Sequence, residues 1–421
     1  MTPGLSNFAA RLREFIAAEA RGFGRSAPDE SLPRNDAAFT ALALELFALQ
    51  FDHNTAYRKI CEARGITPAT VSHWKQIPAV PTAAFKEFDI TCLPPDERQF
   101  VFHSSGTTRQ RPSRHFHNTE SLALYEASLL PWFRCQGVVP EPARSADSHV
   151  RANQRTYPTQ KHADEAVPAP DTRLLVLTPA APVAPHSSLV HMFDAIRRDR
   201  GLTESVFFGR LAADGSWELD FEAVIQELQA ASDRGERLAL LGTAFLFVHL
   251  LDHLTEINLR FKLPSGSRVL ETGGYKGRSR SLPKTELHSL IAARLGIPET
   301  RILCEYGMSE LSSQAYDNAL ERQSPGRRAA AGKHQHADLE IGAPSRPFRF
   351  PPWVRTQIIS PETGREVADG ETGLLRIFDL ANVFSVLAIQ TEDLVIRRGE
   401  YFELIGRAAL AEPRGCSLMA S

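Results

Sequence analysis

The sequence predicts an α/β protein: a mostly parallel sheet flanked by helices, with a smaller antiparallel, barrel-like β subdomain after it. Two patterns carry this. Between residues 173 and 307, short apolar runs rich in strand formers alternate with stretches of helical periodicity, the order that builds parallel sheets with covering helices. After Pro351 the texture changes to short alternating strands punctuated by turn residues.

The elements follow in order. Phe8, Leu12, Phe15 and Ile16 fall at helical spacing, so the chain opens on an amphipathic helix, within a helical region spanning residues 1–74 and expected to pack on the body of the protein rather than on a membrane. The α/β core is expected over 75–350. "QFVF" (99–102) reads as a strand and "NTESLALYEASLLPWF" (118–133) as a helix, with "HSSGTTRQRPSRHFH" between them as a strand-to-helix loop. Then come "RLLVLTP" (173–179), "RLALLG" (237–242) leading into "TAFLFVHLLDHL", "SRVLETGG" (267–274), a helix through Leu287, Leu290, Ile291 and Leu295, and "RILCEYG" (301–307). Polar stretches at 140–171 and 319–337 read as insertions. "TGLLRIFDL" and "DLVIRRGEYFELIGR" supply strands of the β subdomain, 351–407, and a tail of 408–421 carries a cysteine.

Composition narrows the function classes. Of 421 residues, 43% are hydrophobic, enough for one large core or two to three smaller ones. Forty-eight basic against fifty acidic residues leave a net charge of -2, so no overall field draws the chain to nucleic acid or anionic membrane. Cys61, Cys92, Cys135, Cys304 and Cys416 are scattered, odd in number and without a C-x-x-C pair, which argues against a disulfide framework or zinc knuckle and suits a reducing cytoplasm. No charged start precedes an apolar core as in a signal peptide, and no apolar run approaches the ~18–20 residues of a membrane span.

The loop at 103–117 crowds small, hydroxylated and then cationic residues into one turn, a composition suited to an anion. Backbone N–H groups and hydroxyls there can surround phosphate oxygens, and Gly106 allows a tight approach. It is neither a G-x-x-x-x-G-K-[ST] phosphate loop nor a G-x-S-x-G nucleophile elbow. A plain capped turn would have the same composition. His103, His115 and His117 cluster beside it, but no carboxylate or cysteine completes a zinc set.

Three further pieces arrive downstream in a fixed order: "ETGGYKGR" (271–278), "YGMSE" (306–310) and "QTEDLVIRRGEYFELIGR" (390–407). With "SSGTT" (104–108) they make the chain resemble the adenylate-forming superfamily of acyl-CoA synthetases, luciferases and peptide-synthetase adenylation domains. "IPAVPTAAFKEF" (77–88) and the terminal "EPRGCSL" (412–418) make it most similar to the acyl-protein synthetase (LuxE-type) component of the luminous-bacterium fatty acid reductase. The resemblance runs from about residue 75 to the end, apart from the insertions.

Activating a carboxylate with ATP calls for a triphosphate cradle, a magnesium ligand, a ribose clamp and a means of dispersing charge on the α-phosphate. The resemblance implies that Ser104, Ser105, Gly106, Thr107 and Thr108 form the phosphate loop. It implies that Tyr306 and Gly307 lie against adenine, that Ser309 touches the α-phosphate and that Glu310 helps hold Mg2+. Asp393 would accept from the ribose hydroxyls, with Glu392 where relatives carry glycine, and Arg407 would meet the ribose as a hinge arginine. An exposed turn aspartate and a solvated arginine would look the same in isolation. Gly273 and Gly274 would let backbone approach the substrate closely, and Lys276 is a cation of the same motif, suited to a phosphate, the substrate carboxylate or a surface salt bridge. "LLGTAFLF" (240–247) would wall the acyl pocket and equally serve as a core helix.

Relatives in the wider superfamily continue past the hinge with a rotating domain that carries a catalytic lysine, whereas fourteen residues follow Arg407 in this sequence. The expectation is therefore a large domain without that mobile one, in which Lys276, an arginine such as Arg109 or a partner protein supplies the missing cation. Cys416 matches the cysteine that takes the acyl group from acyl-AMP as a thioester, with Arg414 favouring its thiolate. The implied activity is ATP-dependent fatty acid activation, self-acylation and delivery to a reductase or another acceptor. A carboxylate–CoA ligase of the phenylacetate type using free CoA, and a non-catalytic scaffold that binds a reductase, are the alternatives.

Overall fold

The computed structural model describes residues 3–23, 35–104, 111–139, 172–203, 206–275, 279–317 and 346–408. Both expected insertions and the tail beyond residue 408 lie outside the described residues.

Helices α1 (Pro3–Arg21), α2 (Asp36–His53) and α3 (Thr55–Glu62) precede strand β1 (Val80–Pro81) and the short α4 (Ala84–Glu87). Strands β2 (Phe100–His103) and β3 (Arg114–His117) then lead into α5 (Thr119–Cys135). The α/β part comprises β4 (Thr172–Val176), α6 (Ser188–Asp199), β5 (Gly209–Leu211), β6 (Trp217–Leu219), α7 (Phe221–Arg234), β7 (Arg237–Thr243), α8 (Ala244–Glu256), β8 (Arg268–Thr272), α9 (Lys284–Leu295) and β9 (Ile302–Tyr306). It is followed by β10 (Ala315–Asp317), β11 (Phe348–Arg349), β12 (Val354–Ile359), β13 (Thr372–Asp379), β14 (Ala388–Arg398) and β15 (Tyr401–Arg407).

Strands β4, β7, β8 and β9 lie side by side and parallel, with α8 and α9 as crossovers, as the alternating pattern predicts. Their near-continuous apolar composition fits strands buried on both faces. The expected barrel-like subdomain does not close. Instead β10, β11, β15, β14, β13 and β12 continue the same sheet antiparallel, in the order β12-β13-β14-β15-β11-β10-β9-β8-β7-β4. Phe348 of β11 pairs with Phe402 of β15, which joins the two halves where a barrel would have curled away.

One face of the parallel strands is covered by α7, α8 and α9 through Leu228, Leu246, Phe247, Leu287 and Ile291. The other belongs to a larger core built with α1, α2, α5 and α6. Leu5, Phe8, Leu12 and Ile16 of α1 are buried, so this helix packs on the body of the protein; each side chain contributes roughly 1.5–3 kcal/mol relative to exposure. Helix α2 contributes a buried polar anchor as well. Gln50 donates to the carbonyls of Asn382 and Val383 and accepts from the N–H of Leu387, which ties down the 382–387 loop beside the site described next.

Candidate active site

The predicted phosphate loop is carried differently from the expectation. Residues 114–117 form β3, antiparallel to β2 with Phe102 opposite His115, so the small residues join two strands rather than a strand and a helix. The physical reason is a period of two in "RHFH": His115 and His117 are buried, whereas Arg114 and Phe116 are half-buried. The N-terminus of α5 is capped by its own Asn118, whose side chain accepts from the N–H of Ser121 at 2.8 Å. Ser104 accepts from the N–H of Ser113 at 3.0 Å. Ser105, Gly106, Thr107 and Thr108, and Arg109 with them, lie outside the described residues.

Against β3 stands the turn that follows β9. Ser309 Oγ donates to Glu310 Oε2 at 3.0 Å, and Ser113 Oγ lies 3.4 Å from Ser309 Oγ. His115 Nδ1 meets the Ser309 carbonyl at 2.8 Å. Below the turn, the Asp379 carboxylate accepts from the Ser312 N–H and the Ser313 hydroxyl, and Asn382 donates to the Glu310 carbonyl at 2.9 Å. Burial pushes the Asp379 carboxyl up to about 6. It holds the His115 ring down at about 4 and that of His117 well below the ordinary range, so both imidazoles are neutral at pH 7. These histidines serve the packing of the turn, and no group of three metal-ligating side chains forms among the described residues.

A second corner is built where β9 meets β14 and β15. The Tyr306 hydroxyl donates to Asp393 Oδ2 at 2.7 Å, and Arg407, paired with Asp393 across the ladder, places Nε 3.4 Å from Oδ1. Arg407 is 78% exposed at its side chain, free to turn toward a ligand. The Tyr306 ring is enclosed by Phe348, Phe350 and Phe402 rather than presented as an open platform. Burial, with Asp393 nearby, raises its phenol well above the ordinary range, so it remains a donor.

Between the two corners, Gly307 faces the carboxylate of Glu305. A Cβ there would stand 2.3 Å from Glu305 Oε1, and Glu305 is held by the hydroxyl of Thr272. Gly273 adopts φ +71, and among the described residues no atom beyond its chain neighbours lies within 4 Å of where a Cβ would be at it or at Gly274. Lys276 lies outside the described residues. Sequence reasoning missed Ser113, Thr272, Glu305, Asp379 and Asn382 and weighed His115 only as a zinc ligand; the alternation of 113, 115 and 117 was the one available signal of its placement.

The site therefore sits at the carboxyl ends of the parallel strands, where open α/β sheets hold ligands. Solved structures share this architecture. A 2-hydroxyisobutyryl-CoA ligase in the postadenylation state in complex with 2-HIB-AMP superposes with a TM-score of 0.58, at 13% identity, over 91% of this chain and 71% of its own. The same ligase in an open conformation with 2-HIB-AMP and CoA gives 0.58 at 14% identity, over 91% and 73%. The fold is shared with this CoA ligase. No protein-family model matches the sequence. Two long-chain-fatty-acid–luciferin-component ligases are similar in sequence, that of Aliivibrio fischeri at 24% identity over 212 residues and that of Vibrio harveyi at 22% over 214, each match covering 48% of this chain. The chain spans about half the length of the curated relatives it matches.

The four described cysteines are poorly placed for nucleophilic work. Burial pushes the Cys61 thiol to about 11 and that of Cys135 to about 12, and it raises Cys92 and Cys304 as well. Cys416 lies outside the described residues. No helix among the described residues is long and apolar enough to cross a membrane.

Proposed function

We propose that this chain activates a long-chain fatty acid with ATP, releasing diphosphate and forming acyl-AMP, and then takes the acyl group onto Cys416 as a thioester. The observation that carries the first step is the convergence of β3, the 306–310 turn and β14/β15 at the carboxyl end of β9, joined by Ser113–Ser309 and Tyr306–Asp393. The names of the relatives support the choice of acid.

In this reading a carboxylate oxygen of the acid attacks the α-phosphorus while the bond to the bridging oxygen of diphosphate breaks. The loop between β2 and β3 holds the triphosphate, and Ser309 lies beside the α-phosphate. Asp393 accepts from the ribose hydroxyls, with Tyr306 fixing its orientation and Arg407 free to add a donor. Glu310, one carboxylate next to substrate phosphates, fits magnesium, which takes few protein ligands and completes its shell with phosphate and water. When bound there, the ion neutralises charge on the departing diphosphate. Lys276 or Arg109 supplies further positive charge at the phosphates.

In the second step the Cys416 thiolate attacks the acyl carbonyl, the bond from carbonyl carbon to AMP oxygen breaks, and AMP leaves. Placement of the cysteine three residues beyond Pro413 in "EPRGCSL", the stretch that carries the resemblance, and the poor nucleophilicity of the four described thiols support this acceptor. The acyl group then passes to a reductase or another acceptor. Exchange of labelled diphosphate into ATP, measured with acids of increasing chain length, tests the first step: exchange dependent on a long-chain acid supports it, and exchange absent with every carboxylic acid would remove it.

A further inference from the structure

Glu310 is held at both of its flanking peptide bonds. The carbonyl of Ser309 and the N–H of Glu310 share one rigid plane, so whatever fixes that oxygen fixes the direction in which Glu310 leaves the chain. His115 Nδ1 lies 2.8 Å from the oxygen. The following plane is fixed by Asn382, which donates to the Glu310 carbonyl at 2.9 Å, and by the Leu311 N–H, which donates to the Met308 carbonyl at 3.2 Å. With both planes set, the carboxylate is left only its own side-chain torsions, and Ser309 Oγ restrains those at 3.0 Å.

The imidazole is itself oriented. A carbonyl oxygen only accepts, so Nδ1 of His115 carries the proton. Behind it the His117 ring packs with centroids 4.3 Å apart, and the Phe85 ring meets it edge-on at 6.3 Å. His117 is fixed in turn: Ser121 Oγ donates to the Asn118 carbonyl, so it accepts from His117 Nδ1–H at 3.1 Å. His115 is buried, and Nδ1 keeps its proton whether the ring is neutral or charged, so its bond to Ser309 does not depend on pH. Because β3 also leaves the predicted phosphate loop, the same strand carries that loop and sets the plane of the carboxylate.

We propose that His115 is a positioning residue for magnesium, locking the Ser309–Glu310 peptide plane so that the Glu310 carboxylate is held in fixed register with β3. This rests on the reading of Glu310 as the metal carboxylate. The consequence is a division of labour: Glu310 carries the charge, and His115 determines whether that charge is aimed.

Two polar substitutions separate positioning from mere filling. In His115→Asn the amide nitrogen falls near the place of Nδ1 and can still donate to Ser309. In His115→Gln it falls near the place of Nε2 and cannot. Diphosphate exchange is measured against Mg2+ at saturating acid and against acid at saturating Mg2+, and Mn2+ binding to the ATP-loaded protein is followed by electron paramagnetic resonance, for both variants and the wild type. The apparent Mg2+ requirement of His115→Gln should rise about tenfold, the scale of one lost hydrogen bond, with the KM for acid within about twofold. That of His115→Asn should stay near the wild-type value. Equal Mg2+ requirements in the two variants, or a rise in KM for acid matching the rise for Mg2+, would overturn the proposal. Failure of the underlying reading looks different: wild-type exchange would then be indifferent to Glu310→Gln, whatever His115 does.

Discussion

Tyr306 donates a 2.7 Å hydrogen bond to Asp393, 87 residues further along the chain, and this contact fastens the end of a parallel strand to the antiparallel half of the sheet. It also leaves the second oxygen of Asp393 facing Arg407. Tyr306→Phe removes the donor but little packing, so the affinity for ATP should fall by about 1 kcal/mol, while Asp393→Ala, which removes the proposed acceptor for the ribose, should cost about 1.5–3 kcal/mol. Titration calorimetry with ATP checks both; an unaltered affinity in Asp393→Ala places that residue outside the site.

Glu310→Gln keeps an acceptor for the Ser309 hydroxyl and the buried volume but removes the charge. Magnesium-dependent diphosphate exchange should drop on the order of a hundredfold, the scale of losing one preorganised electrostatic contact. The thermal midpoint should move little, because the backbone bond from Asn382 is untouched. Exchange at the wild-type rate refutes the role.

The buried imidazole of His115 predicts a pH-dependent stability. In the unfolded chain histidine protonates near pH 6.5, but in the fold burial holds it down to about 4. The unfolded state binds the extra proton in that window, so stability falls as pH drops from 6.5 to 4, by about 3 kcal/mol for this group. His117 shifts in the same direction. Denaturant melts of wild type and His115→Asn at several pH values should diverge at neutral pH and converge near pH 4; parallel curves contradict the assignment.

Much of this architecture is legible in the chain, for identifiable reasons. β4, β7, β8 and β9 are apolar on both faces and separated by helical periodicity, so local composition defines them. Tyr306, Ser309, Glu310, Asp393 and Arg407 sit in short ordered motifs, and the fold brings Tyr306 to Asp393 and Ser309 to β3. What escaped depends on long-range pairing. β3 is polar in sequence because His115 and His117 are buried against Ser309 and Ser121, partners 194 and 4 positions away. The continuation of the sheet past β9 depends on Phe348 meeting Phe402, a pairing that no local texture announces. Glu305 and Thr272 bond across neighbouring strands, at positions beside the motif residues read for the nucleotide.

Cys416→Ala removes the proposed nucleophile and none of the groups placed at the nucleotide. Diphosphate exchange should persist while covalent labelling by radioactive fatty acid disappears, and wild-type label should be released by neutral hydroxylamine, as a thioester is. Labelled protein accumulating in the variant, or efficient acyl-CoA formation by unlabelled wild type, favours the CoA-ligase alternative.

The central claim is that a carboxylate attacks the α-phosphorus of ATP, and oxygen tracing tests it most directly. A long-chain acid carrying 18O in both carboxylate oxygens is turned over with ATP, Mg2+ and hydroxylamine as the final acyl acceptor. Because the attacking oxygen stays on phosphorus when the acyl group departs, one 18O should appear in AMP, with diphosphate unlabelled. Label in inorganic phosphate with ADP as the co-product, the signature of an acyl phosphate, would contradict the account.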